Sequence, residues 1–153
     1  MDVLMHIKEE HAGFKEKIAE IKTAKGDRKK KIFRELYAEI HGHHEAEEKV
    51  VFPIVKEKAE EEAQKVVLEM IEEHSLISYQ FSVVEKTSVE NKTWDAKFSV
   101  LREVLEHHLE EEEEEFLPMA RKMIYKEIWV EALDKFETVL EENKKEKEKE
   151  LDK

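Results

Sequence analysis

Six residues of this chain combine types and spacings suited to holding cations: His11, His43, Glu47, His74, His108 and Glu112. Imidazole nitrogens and carboxylate oxygens without any thiolate suit iron, manganese or zinc rather than calcium, magnesium or copper(I). A His-x-x-x-Glu pair on one helix places both donor groups on the same side, one turn apart. The chain has two such pairs, His43 with Glu47 and His108 with Glu112. Either alone is a weak signal. The setting strengthens it, because "HHEAEEKVVFP" at 43–53 is written nearly again as "HHLEEEEEEFLP" at 107–118. An "EEH" precedes each, at 9–11 and 72–74, and His11 lies 32 residues before His43, as His74 lies 34 before His108. With Glu47 set over Glu112 and Pro53 over Pro118, the chain reads as two similar helical hairpins. Packed about a pseudo-two-fold axis, each hairpin supplies half of one site.

The elements that must position these residues are helices. Charged residues make up 43% of the 153 residues and apolar ones 40%, with three Gly and two Pro, a composition that favours long helices over a β-fold. Helix A is expected from an Asp2 cap to about Thr23, and helix B from an Asp27 cap to Pro53, which should kink or end it. Helix C covers about 61–86, and helix D runs from a Thr93 cap towards Pro118. The stretch 124–140 is an amphipathic fifth helix, and 143–153 a solvated charged tail beyond a domain spanning 1–142. Apolar residues recur at steps of three and four. The stripes are Ile7, His11, Phe14, Ile18, Ile21; Leu36, Ile40, His43, Glu47, Val50, Ile54; Val67, Met70, His74, Ile77, Phe81, Val84; and Leu101, Leu105, His108, Glu112, Phe116, Met119.

Each stripe is interrupted by a histidine and two by a glutamate as well. One histidine on an apolar face is usually a hydrogen-bonded core residue. Four, one per helix, with two glutamates, are not explained that way, since a buried unpaired carboxylate costs several kcal/mol and two of them repel. A cation between them resolves the conflict.

Bulk charge points the same way. Lys and Arg total 27 against 39 Asp and Glu, a formal net charge of −12, which repels nucleic acid and anionic membranes. The absence of cysteine excludes disulfides, thiolate metal sites and cysteine nucleophiles and is compatible with a reducing cytoplasm, the expected location. No signal peptide is visible, and no apolar run nears the roughly 20 residues of a membrane span.

On these motifs the chain resembles the hemerythrin-like, or HHE cation-binding, family over roughly residues 2–123. The resemblance implies an all-α, up-and-down antiparallel four-helix bundle, here with an additional C-terminal helix. It implies two non-haem iron ions, oxo- or hydroxo-bridged, with zinc or manganese as substitutes. His11, His43, Glu47, His74, His108 and Glu112 match ligand positions, with Glu47 and Glu112 as the bridging carboxylates. The function implied is to bind, sense or scavenge O2, NO or peroxide, with iron-sulfur cluster repair or nitric-oxide and peroxide reduction as the alternative. The family's oxygen carriers have a second histidine one turn after the helix C ligand, where this sequence has Ser78. Each metal is then expected to hold two imidazoles, which disfavours reversible oxygen carriage. His44 and His107, about 100° round the helix from the stripe, are assigned flanking positions, not ligand positions. Glu10 and Glu73 are candidates to orient imidazoles. Tyr37, Tyr79 and Trp129 read as packing residues.

Overall fold

The computed structural model describes residues 1–58 and 60–153. Among them it is all-helical: α1 (Val3–Thr23), α2 (Gly26–Ala46), α3 (Phe52–Lys56), α4 (Glu61–Glu85), α5 (Trp94–Glu111), α6 (Leu117–Met123), α7 (Lys126–Glu131) and α8 (Leu133–Leu151). Two π-helical turns, Glu47–Val51 and Glu112–Phe116, join α2 to α3 and α5 to α6 without a break. Four long rods result, in the ring order α1, α2–α3, α4, α5–α6, with α8 laid along the outside of α2. This is the expected four-helix bundle with an extra helix. Among the described residues, no helix is long and apolar enough to cross a membrane.

The helix starts are set by chemistry. Asp2 caps α1, accepting from the Met5 amide at 3.0 Å, and its carboxylate is gripped by Arg121 at 2.6 and 3.2 Å. Asp27 does not cap α2. The chain turns at Gly26, whose φ of 57° is left-handed, and Asp27 falls in the first turn, where its charge favours the helix dipole. Thr93 precedes α5 but makes no side-chain cap; its hydroxyl donates to Asn91 instead.

Neither proline ends its helix. Pro53 and Pro118 are the second residues after the π turns, and helix continues to Lys56 and Met123. The extra residue in each π turn rotates the helix beyond it. Val55 and Ala120 are buried where the stripe predicts Ile54 and Met119, which are only half-buried.

The fifth helix breaks at Ala132 into α7 and α8, and α8 extends through the expected tail to Leu151. It buries Phe136 and Leu140, and the Lys147 ammonium lies 5.0 Å from the Tyr37 ring centroid. Its approach to α2 is close: a Cβ at Gly42 would stand 2.5 Å from the Leu140 carbonyl oxygen and 3.1 Å from Lys144 Cβ. Gly42→Ala gains about 1 kcal/mol of helix propensity. Overpacking against a backbone carbonyl costs about 1–3 kcal/mol. The second effect should win, so the variant is expected to unfold at lower urea than the parent. Equal or greater stability would show that α8 does not dock as described.

The core has two apolar halves. One gathers Val3, Ile7, Val51, Phe52, Val67, Met70, Phe116 and Trp129 at one end of the bundle. The other gathers Phe14, Ile18, Phe33, Leu36, Phe81, Trp94 and Leu105 at the opposite end. Between them lies a layer of buried polar side chains.

Candidate metal centre

That layer contains His11, His43, His44, Glu47, His74, His108 and Glu112, all buried. The six residues singled out from the sequence are therefore brought together, and a seventh joins them. Their donor atoms form two groups in which all atoms lie within 4.8 Å of one another: His11, His43, Glu47 and Glu112, and His44, His74, His108 and Glu47. Glu47 belongs to both. Its Oε2 lies 3.5 Å from His43 Nε2 and its Oε1 3.2 Å from His74 Nε2. Glu112 falls in the first group only, with Oε1 2.9 Å from His11 Nε2.

These close approaches are not hydrogen bonds. The Nε2 atoms of all five histidines and both oxygens of Glu47 and Glu112 are buried without a hydrogen-bond partner. The donor atoms converge on shared points and not on one another. So many orphaned polar atoms would be costly unless something cationic satisfied them, and nitrogen and oxygen ligands without sulfur fit a transition metal.

The outward imidazole nitrogens are held. Nδ1 of His11, His43 and His74 lies 2.9 Å from Glu113, Glu10 and Glu48 respectively, and Nδ1 of His108 lies 2.6 Å from Glu73. A carboxylate can only accept, so each Nδ1 carries a proton, which leaves the inward Nε2 as the nitrogen a metal would take. Glu10 and Glu73 act within their own hairpins. Glu48 and Glu113 reach across, each orienting a histidine of the other hairpin.

A model of the hemerythrin HHE cation binding domain matches residues 2–120. The chain belongs to the hemerythrin HHE family. Comparison with curated proteins gave no match. Among solved structures, this HHE domain is similar to a hemerythrin HHE cation binding domain-containing protein, the Rv2633c homolog from Mycobacterium kansasii. The TM-score is 0.84 at 22% identity, over 95% of this chain and 89% of that one, a likeness of fold.

His44 departs from expectation. It is buried and stacks on His74 with centroids 3.6 Å apart and planes 7° apart, and it meets the edge of His108 at 5.3 Å. In a four-helix bundle each helix faces two neighbours at once, so residues about 100° apart can both point inward. On α2, His43 faces α1 and His44 faces α4 and α5. The HHE domain therefore groups three imidazoles on one side and two on the other, in place of the two and two expected from Ser78. His107 behaves as expected, with its side chain 76% exposed beside Glu111. Tyr37 is buried and stacked on Phe81 at 4.7 Å, and Trp129 is buried. Tyr79 is exposed and is not a packing residue.

Protons hold this layer together when no metal does. Burial opposes charge on His43, but Glu47 and Glu10 outweigh it and hold its pKa well above the usual imidazole range. Burial likewise opposes charge on His74, yet Glu47 and Glu48 lift its pKa to about 9. Burial and the Glu47 carboxylate push Glu112 upward. Burial and the neighbouring His74 and His108 hold His44 well below its ordinary value, leaving it neutral. The raised His74 pKa stabilises the metal-free fold fully below the ordinary 6.5, and that contribution is lost as pH rises through about 9. Metal must displace the His74 proton. Loading with a divalent cation should release more protons at neutral pH than above pH 9, with tighter apparent binding at the higher pH. Calorimetry in buffers of different ionisation enthalpy measures this, and equal release at both pH values would contradict it.

Proposed function

We propose that this HHE domain holds two iron ions in its buried layer and uses them to bind, sense or scavenge O2, NO or peroxide. The sharing of Glu47 between two histidine groups carries this reading. A single cation has no use for a carboxylate whose two oxygens face different sets of imidazoles, whereas two cations would each take one of them. His11, His43 and Glu112 would complete one position, and His44, His74 and His108 the other. Iron bound there supplies a redox couple and coordination positions open to a small exogenous ligand.

The chain's own residues prepare that chemistry. Glu10, Glu48, Glu73 and Glu113 hold the ring orientations before any metal arrives, so that each Nε2 already points into the layer. The apolar halves above and below keep bulk water from the layer. Phe14 stands edge-on to His43 at 5.1 Å, and Phe52 lies against His74 at 5.6 Å. The two glutamates offset part of the metals' charge.

Anaerobic titration with ferrous iron, followed by exposure to air or NO with the spectrum recorded, tests the proposal. Two ions per chain and a spectral change on adding the gas are expected. Saturation at one ion, or two ions that respond to no added gas or peroxide, would overturn it.

A further inference from the structure

Aromatic side chains continue the geometry of the buried layer towards one end of the bundle. Tyr37 lies seven residues before His44 on α2, and Phe81 seven residues after His74 on α4. Seven residues are two turns, so each sits on the same helix face about 10 Å further along. As the rings of His44 and His74 stack, so do those of Tyr37 and Phe81, at 4.7 Å. Phe33 meets Tyr37 at 6.1 Å and Phe81 at 5.6 Å, and then Trp94 at 5.6 Å. The readily oxidised members of this column are its two ends, the phenol of Tyr37 and the indole of Trp94.

Trp94 meets the surface at a place of its own. It forms part of a cleft of about 250 Å³ where the end of α1 and the starts of α2 and α5 come together. Lys22, Lys29, Asp95, Ser99 and Arg102 also line it. Three cations against one carboxylate make a positive spot on a chain of formal charge −12, a place that attracts a small anion. The Lys29 ammonium lies 4.5 Å from the Trp94 ring centroid, where its charge would oppose loss of an electron from the indole. Asp95, 2.5 Å from that ammonium, offsets it, and Glu150 at 3.2 Å does the same for Lys147 beside Tyr37.

We infer that Tyr37 and Trp94 relay electrons to the buried layer, one at a time, from an anionic small-molecule reductant held in the Trp94 cleft. The inference rests on the di-iron reading, with peroxide as the oxidant. Peroxide takes up two electrons and two protons and becomes two waters. Tyr37 makes good each electron, and its phenolic proton leaves to solvent in the cleft that it lines with His44. Trp94 then gives an electron to the tyrosyl radical, which recovers a proton. One electron from the reductant restores the indole. Ascorbate, an enediol anion, suits a cleft of this charge. Each ascorbate loses one electron and one proton, so two are consumed per peroxide and the balance closes.

The test adds peroxide to the iron-loaded protein with a nitroso spin trap and maps the adducts by peptide mass spectrometry. Adducts are expected on Tyr37 and Trp94 and not on Trp129, which is buried at the opposite end of the bundle. Tyr37→Phe keeps the ring and should lose the Trp94 adduct while holding two irons. Trp94→Phe, which cuts the supply of electrons to Tyr37, should raise the Tyr37 adduct. Ascorbate should suppress both adducts in the parent and fail to do so when Lys22→Glu and Arg102→Glu are combined. Uncharged hydroquinone should protect parent and double variant alike. A Trp94 adduct that survives Tyr37→Phe would overturn the relay, as would an unchanged Tyr37 adduct in Trp94→Phe. So would adducts confined to the exposed Tyr79 and Tyr125, or equal protection by ascorbate in parent and double variant. A parent that takes up fewer than two irons, or consumes no peroxide, would overturn the di-iron reading itself and the relay with it.

Discussion

Replacing Glu47 with glutamine is expected to lose both metals, whereas Glu112→Gln should lose one. Glu47 offers an oxygen to each histidine group, so its removal takes a ligand from both positions at once. Glu112 belongs only to the group of His11 and His43, and the group of His44, His74 and His108 stays complete without it. Removing mere hydrogen-bonding partners of ligands lowers metal affinity roughly 10–100-fold. Loss of a direct, shared carboxylate should exceed that, enough to strip the protein on dialysis against a weak chelator. Glutamine keeps the shape and removes a buried charge, so helical circular dichroism should persist in both variants. Metal analysis after dialysis decides the matter. Equal retention in the two variants would mean that Glu112 bridges as Glu47 does, as the family resemblance alone implies.

The second large effect separates two histidines that look alike in the sequence. His44→Ala should reduce the metal content from two ions to one, while His107→Ala leaves it at two. The first removes a buried imidazole with an unpartnered Nε2 from the three-histidine group. The second removes a side chain that is mostly in solvent and lies 3.3 Å from Glu111, outside both groups of inward donors. The His44 variant also opens a void beside His74 and unstacks its ring, so His74 should become more mobile. Full metal content in His44→Ala would return that residue to the flanking position the sequence suggests.

The reason His44 was not legible lies in how the repeat is read. The register with Glu47 over Glu112 and Pro53 over Pro118 also sets His44 over Leu109 and His107 over Gly42. Leu109 is fully buried, and its register would have pointed His44 inward. The signal existed in Leu109, which the apolar stripe passes over, so its match to His44 went unused.

The main stripes were legible because burial at steps of three and four is a direct consequence of helix geometry. They held through Val50 and Phe116 and failed at Ile54 and Met119, beyond the turns whose extra residue resets the phase. Nothing in local propensity announces a π turn; its appearance directly after a buried ligand candidate, twice, fits its known concentration at functional sites. The course of α8 was illegible for another reason. Its sequence is almost wholly charged beyond Leu140, and it is held by the close approach to α2 at Gly42 and the Lys147 ammonium over the Tyr37 ring, neither of which shows as periodicity. Glu10 and Glu73 were visible as candidates, but the crossing over of Glu48 and Glu113 needed three dimensions.

That crossing over has a consequence for what half of this protein could be. A lone hairpin made of α1 and α2–α3 carries His11 and Glu48 but cannot bring them together, because Glu48 reaches His74 and His11 is reached by Glu113. Placed beside an identical copy, related by a two-fold rotation, each hairpin would lend the other its missing acceptor. The arrangement is that of a homodimer written as one chain, with heterologous halves free to drift apart in sequence while the exchanged carboxylates keep them interlocked. Leu109 opposite His44 marks the drift. A true dimer would offer the same ligands to both metals, and the single chain can make its two ends unequal.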